Sequence, residues 1–90
     1  MLEGLSIGQI VISSQGRDKG AFMIIVGVEP SYVYLADGKL RKAEKPKKKK
    51  IKHIRPTHMI CEDIKAIYQS GKKADNAALR KALKSYDEIR

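Results

Sequence analysis

The sequence predicts a mainly β domain with C-terminal helices: a small β-barrel over residues 1–60, followed by two short α-helices over 61–90. Three observations carry that prediction. Residues 10–36 read as two strands joined by a tight, glycine-flanked loop and followed by a third strand. Residues 21–28 are an almost unbroken apolar run, far too short to span a membrane. From Cys61 onward the apolar period changes from that of a strand to that of a helix.

The first strand is expected to start near Ile7 and Gly8 after a lead-in from Glu3. Ile10 and Ile12 then lie on one face and Val11 on the other. Gly16-Arg17-Asp18-Lys19-Gly20 is a loop by composition, because glycine at both ends admits positive φ where other residues strain. The β-rich runs flanking it make a hairpin. Beyond the loop, Phe22, Ile24, Val26 and Val28 share one face, and Ala21, Met23, Ile25 and Gly27 share the other. A strand apolar on both faces must be covered twice. One face closes the barrel, and the other needs something packed over it.

Glu29-Pro30-Ser31 turns the chain, since proline cannot continue a central strand. Residues 32–36 alternate, with Val33 and Leu35 inward and Tyr32 and Tyr34 on the opposite face. Asp37-Gly38 is a strong two-residue hairpin signal, and it sends residues 39–42 back as a fourth strand or its beginning. The lysines of residues 45–50, broken by Pro46, read as a solvated loop near 43–50. Ile51, with His53 or Ile54, points inward again. Arg55-Pro56-Thr57 reads as a turn, and His58-Met59-Ile60 as a short last strand. Cys61, Ile64, Ile67 and Tyr68 then follow helical spacing, Gly71 stops that helix, and Lys72 and Lys73 suit its dipole. Asp75 caps a second helix whose apolar stripe is Leu79, Ala82, Leu83 and Tyr86. These helices are the predicted cover for the second face of residues 21–28.

Composition narrows the class. A chain of 90 residues is one small domain. At that length it buries only about 60–65% of its unfolded surface, which leaves little room for an enclosed substrate pocket. Apolar content of 42% beside 32% charged residues belongs to a folded chain rather than a disordered one. The single cysteine, Cys61, excludes an intrachain disulfide and fits a reducing compartment. Residues 1–5 lack a basic stretch and a long apolar stretch, so the expectation is no signal peptide, a cytoplasmic location and no membrane partner.

The charge is concentrated. Lys39, Arg41, Lys42, Lys45, Lys47, Lys48, Lys49, Lys50, Lys52 and Arg55 stand against Glu44 alone, so this segment carries the chain's whole net charge of +9. A protein that needed charge only for solubility would more often spread it. Arg17 and Lys19 add cations at the tip of the first hairpin.

The residues now resemble a known family. Residues 10–36 are similar to the KOW motif, a short module of alternating apolar and polar residues with a key loop glycine, here Gly20. Residues 7–57 resemble the KOW-type large-subunit ribosomal proteins of archaea and eukaryotes and their short bacterial RNA-binding relatives. The matching pieces are Gly8-Gln9-Ile10-Val11, residues 16–20, Val33-Tyr34-Leu35, Asp37-Gly38 and residues 51–57, with residues 76–83 similar to the family's end. The resemblance implies an SH3-like small barrel that contacts RNA, ribosomal RNA first among candidates, through the first hairpin loop. It thereby implicates Gly16, Arg17, Lys19 and Gly20. Ribosomal proteins are the implied neighbours, and the free protein is expected to be a monomer. The lysine run is less regular in the family, so the role of Lys45, Lys47, Lys48, Lys49 and Lys50 is inferred from charge.

Each candidate has a plainer reading beside the functional one. Arg17 and Lys19 could be ordinary solvated cations, but flanking glycines and a hairpin tip favour contact with RNA. The lysine run could serve solubility, but it is tethered between two strands rather than trailing as a tail. Lysine is a point charge, so it attracts phosphate with little sequence discrimination. Tyr32 and Tyr34 could stack on unpaired bases or pack beneath the loop or against the helices, and packing is the favoured reading. His53, His58 and Cys61 do not form the paired ligand spacings of structural zinc. Cys61 has no evident base partner, and no nucleotide-cradling glycine loop is present. The chain reads as a binding module without catalytic residues, metal or cofactor. A protein-interaction module of the transcription or translation machinery is the alternative, and a general nucleic-acid binder is a third reading.

Overall fold

A computed structural model describes residues 5–89. The expectations for the lead-in at Glu3 and for an absent signal sequence fall largely on residues 1–4, outside the described residues. Five strands follow in chain order: β1 (Gln9–Ser13), β2 (Phe22–Val28), β3 (Tyr32–Ala36), β4 (Lys47–Lys50) and β5 (Ile54–Ile60). A 3-10 turn over Ile51–His53 joins the last two, and α1 (Glu62–Gln69) and α2 (Asn76–Ile89) complete the chain. Every strand pair is antiparallel, in the spatial order β4-β3-β2-β1-β5, so β4 and β5 are the sheet's two edges.

The doubly apolar strand is covered on both faces, as its composition demands. On one face Ile10, Ile24 and Ala36 pack with Ile64 of α1 and Leu79 of α2. On the other, Val11, Met23, Ile25, Val33 and Leu35 pack with Ile51 and Ile54. Among the described residues no helix covers this second face. Its side chains are buried because the sheet curls over them, with Ile51 and Ile54 arriving from the two edges. Met23, Ile24 and Ile25 are each at most 1% exposed, so one strand anchors both clusters. Burial of each such side chain contributes about 1.5–3 kcal/mol.

Several local expectations need correction. The first strand begins at Gln9 rather than near Ile7, because Gly8 adopts φ +92° while its N–H donates to the carbonyl of Ile25 at 2.8 Å. A bulge between Ile25 and Gly27 reverses the alternation in β2 and sets Gly27 opposite Tyr34, not on the Met23 face. Residues 39–42 are not a strand. The Asp37 carboxylate accepts the N–H groups of Lys39 (2.8 Å) and Arg41 (2.9 Å), which opens a wide loop over residues 37–46 in place of a tight hairpin. That loop docks on α2, where Asn76 Oδ1 accepts the N–H of Ala43 at 2.8 Å.

The fourth strand is instead the lysine run, which is therefore no mobile loop: Lys47, Lys48, Lys49 and Lys50 lie opposite Leu35, Tyr34, Val33 and Tyr32. Lysine has a weak strand preference, but a solvent-facing sheet edge tolerates it and is protected by its charge. Arg55-Pro56-Thr57 is not a turn either. β5 runs through it, with Pro56 opposite Val11. Proline is admitted because β5 is an edge, where its missing N–H breaks no ladder. The register shift beside it is filled by side chains, Thr57 Oγ1 donating to the Ile10 carbonyl (2.7 Å) and Gln9 Nε2 to the Thr57 carbonyl (2.8 Å).

The helical tail follows its sequence signals. Asp75 Oδ1 caps α2 by accepting the N–H of Ala78 at 2.8 Å, and Gly71 ends the preceding turn with φ +84°. Phe22 meets Tyr86 edge-on with ring centroids 5.3 Å apart, tying α2 to β2. Among the described residues no helix is long and apolar enough to cross a membrane.

Candidate nucleic-acid interface

The turn over residues 16–20 is built by its two glycines, at φ +82° and +88°, and by a short set of backbone bonds. Gly20 N–H donates to the Ser13 carbonyl (2.7 Å), and Ala21 N–H to that of Asp18 (2.9 Å). The chain thus reverses with Arg17 and Lys19 both exposed at the tip. The Asp18 side chain is largely buried. Its Oδ2 lies 3.1 Å from Arg41 Nη2 and accepts Arg41 Nε at 3.2 Å, tying the tip to the 37–46 loop.

Strand alternation splits the lysine run in two. Lys47 and Lys49 share the side of Val33 and Leu35, whereas Lys48 and Lys50 share the side of the tyrosines. Lys49 is buried at 8% exposure, and its Nζ donates to Ser13 Oγ (2.8 Å) and to the Gln15 carbonyl (2.7 Å). It lies directly under the turn, since a Cβ on Gly16 would stand 3.5 Å from that Nζ. The turn, the 37–46 loop, β4 and the 3-10 turn together wall a cleft of about 440 Å³, lined by Arg17, Asp18, Arg41, Lys47, Lys49 and His53 with Gln15 and Gly16.

On the tyrosine side, Lys48 Nζ sits 4.5 Å above the Tyr32 ring and 3.8 Å from Glu29 Oε1. Tyr34 donates its hydroxyl to Glu29 Oε2 at 2.7 Å. That bond to an anion is the first cause of a Tyr34 pKa above the usual tyrosine value, with Lys48 opposing it. The Tyr34 ring lies against Gly27, where a Cβ would come within 3.1 Å of it. The two tyrosines therefore sit beside the edge strand, neither beneath the loop nor against the helices.

The structure thus brings Gly16, Arg17, Arg41, Lys47 and Lys49 together around one cleft, and Tyr32, Tyr34 and Lys48 around another patch with Lys50 on the same side. Lys19 and Gly20 remain on the outer turn. Lys42, Lys45, Lys52 and Arg55 are exposed along the 37–46 loop, the 3-10 turn and β5, outside the cleft wall. Sequence reading missed Ser13, Gln15, Asp18 and Glu29. The signal for Asp18 was a lone acid inside a basic turn; Ser13 and Gln15 carried none, because only the fold sets β1 beside β4. Among the described residues no three His, Cys, Asp or Glu side chains cluster as metal ligands would.

A curled antiparallel sheet backed by two helices, with cations gathered at one hairpin, defines the chain as a small β domain with a basic cleft. No known family model matches the chain, and no curated protein matches it.

Proposed function

We propose that the chain is an RNA-binding module of the KOW type, with its sheet and 3-10 turn forming an SH3-like barrel. It acts as a binder rather than an enzyme, in the cytoplasm, and docks on structured RNA with ribosomal RNA and ribosomal proteins as the expected surroundings. The observation that carries this reading is the meeting of two basic segments far apart in sequence. Lys49 of the lysine strand donates to Ser13 and Gln15 immediately before the hairpin turn. Arg41 pairs with Asp18 inside it. Arg17, Arg41, Lys47 and Lys49 thereby line one cleft, with further cations exposed around it, an arrangement suited to tracking phosphates. The strand order, with a 3-10 turn between the edge strands, supports the barrel reading.

Titration of a structured RNA at several salt concentrations tests the proposal. Affinity should fall steeply with salt, and each exposed cation neutralised on the binding side should flatten the log–log slope by about 0.7–0.9. Arg17→Ala should weaken a preferred structured site more than a random RNA, because the turn fixes its position. Binding that is absent, or indifferent to salt, would sink the reading. Competition between RNA and DNA separates RNA recognition from general nucleic-acid binding. The protein-interaction alternative draws on another surface, an apolar groove between α1 and α2 bordered by Met59, Ile67 and Ile89. A protein complex formed through that groove, unaffected by RNA, would favour it.

A further inference from the structure

Lys49 is the one lysine of its strand that is buried, and its surroundings leave its charge uncompensated. An ammonium carries three protons, and Ser13 Oγ and the Gln15 carbonyl account for two. Both acceptors are neutral. Among the described residues no carboxylate pairs with Lys49, and the acid on the cleft wall, Asp18, is already engaged by Arg41 through Nε and Nη2. Arg17, Arg41, Lys47 and Lys49 therefore line the cleft as four basic side chains against one carboxylate that is in use. A buried cation held only by neutral acceptors is costly unless an anion completes its shell.

We propose that this cleft is a pocket for one phosphate group, with Lys49 as the fixed donor at its floor and Lys47 and Arg41 on its walls. Basic side chains from the 37–46 loop and from two positions on β4 line the cleft together, as contacts to several oxygens of one oxyanion require. Lys49 is held by two hydrogen bonds before any ligand arrives, so binding there loses little side-chain freedom, whereas an exposed lysine must be ordered. The inference deepens the RNA reading and rests on it for the source of the phosphate: a backbone phosphodiester presents the same oxyanion as free inorganic phosphate.

The test follows amide resonances of Gly16, Arg17, Arg41 and Lys49 while inorganic phosphate replaces chloride at constant ionic strength. A saturating shift confined to this cluster is expected. Lys49→Met should abolish it. Should that variant misfold, Lys47→Gln decides, because Lys47 is exposed and lines the cleft: phosphate should bind about tenfold more weakly, the worth of one charge-assisted hydrogen bond. Lys50→Gln, on the same strand but the opposite face, should leave phosphate binding unchanged. Linear shifts spread over the exposed lysines, or equal losses in the Lys47 and Lys50 variants, would overturn the pocket. A structured RNA is then added to the phosphate-loaded protein. Displacement of phosphate from these resonances identifies the backbone as the source. Saturable phosphate with no RNA binding at all supports the pocket with free phosphate as its source and removes the RNA reading. RNA that binds while phosphate stays on the cluster overturns the backbone as the source of the phosphate and leaves the RNA reading standing on another surface.

Discussion

At Gly20 the backbone holds φ +88°, and a Cβ at that position would meet no atom within 4 Å. The cost of a side chain there is conformational alone, about 1–2 kcal/mol for the left-handed region. Gly20→Val should therefore lower the melting temperature modestly, by about 4–8 °C per kcal/mol for a domain of this size. It should also displace Arg17 and Lys19 without changing the net charge, so RNA affinity should drop at fixed salt. A variant that melts and binds like the parent would make Gly20 incidental. Gly38 is a different case, with φ +79°, because a Cβ there would run into the Asn76 carbonyl and approach Arg80 Cγ at 3.0 Å. Gly38→Ala should cost about 3 kcal/mol or more, since strain and overpacking add where the 37–46 loop docks on α2. Equal melting temperatures for the two variants would contradict this ranking.

Tyr34 offers a pH test at the same scale. Its bond to Glu29 favours the protonated phenol, so its pKa is raised in the folded state. The contribution is complete below the ordinary tyrosine value of 10.0, where folded and unfolded chains are both protonated, and fades as pH rises through the folded value. Spectrophotometric titration should show two late-ionising phenols, Tyr34 and the partly buried Tyr68, of which Tyr34→Phe removes one and Glu29→Gln moves that same one earlier. No stability change from this source is expected at neutral pH.

The lysine strand is an element whose four identical residues have two different jobs. Lys49 is buried beneath the turn, and Lys50, one position on, is exposed. Lys49→Ala should cost about 1–3 kcal/mol, because the buried Ser13 Oγ loses its donor and the Gln15 carbonyl keeps only the Ser13 hydroxyl. Lys50→Ala should stay within about 0.5 kcal/mol, as surface changes do. Paired thermal melts decide between this picture and one in which the run is uniformly solvated, which predicts no difference. Composition could not separate these lysines, since charge patterning treats them alike. Their alternation became legible only once the strand was seen to pair with β3. The same holds for β5, where Pro56 marked a turn in sequence and an edge in the structure.

On the scale of the whole molecule, the doubly apolar β2 makes the helical tail part of the folded unit. Leu79 of α2 is fully buried against Ile10, Ile24 and Ala36 of the sheet. Leu79→Ala should destabilise by about 2–5 kcal/mol. Ending the chain after Gly71 should cost at least as much, since it exposes the helix-facing cluster at about 25 cal/mol per Å². An unchanged melting temperature for the truncated chain would show that the sheet stands alone.

The sequence by itself determined that residues 9–36 hold three strands, though neither where the first begins nor the bulge after Ile25, together with the turn at residues 16–20, both helices with their cap and stop, and the confinement of net charge to residues 39–55. These are local properties: alternation, glycine at reversals, capping chemistry and composition act within a few residues. It also foretold two covers for β2, because apolar residues on both faces permit nothing else. Only the tertiary structure decided the course of residues 37–60, where a single carboxylate, Asp37, diverts the chain from a hairpin and sends the lysines to the sheet edge. It alone placed Lys49 under Gly16 and Asp18 against Arg41. Those contacts join segments more than twenty residues apart, and no local pattern encodes a pairing that depends on how an entire sheet curls.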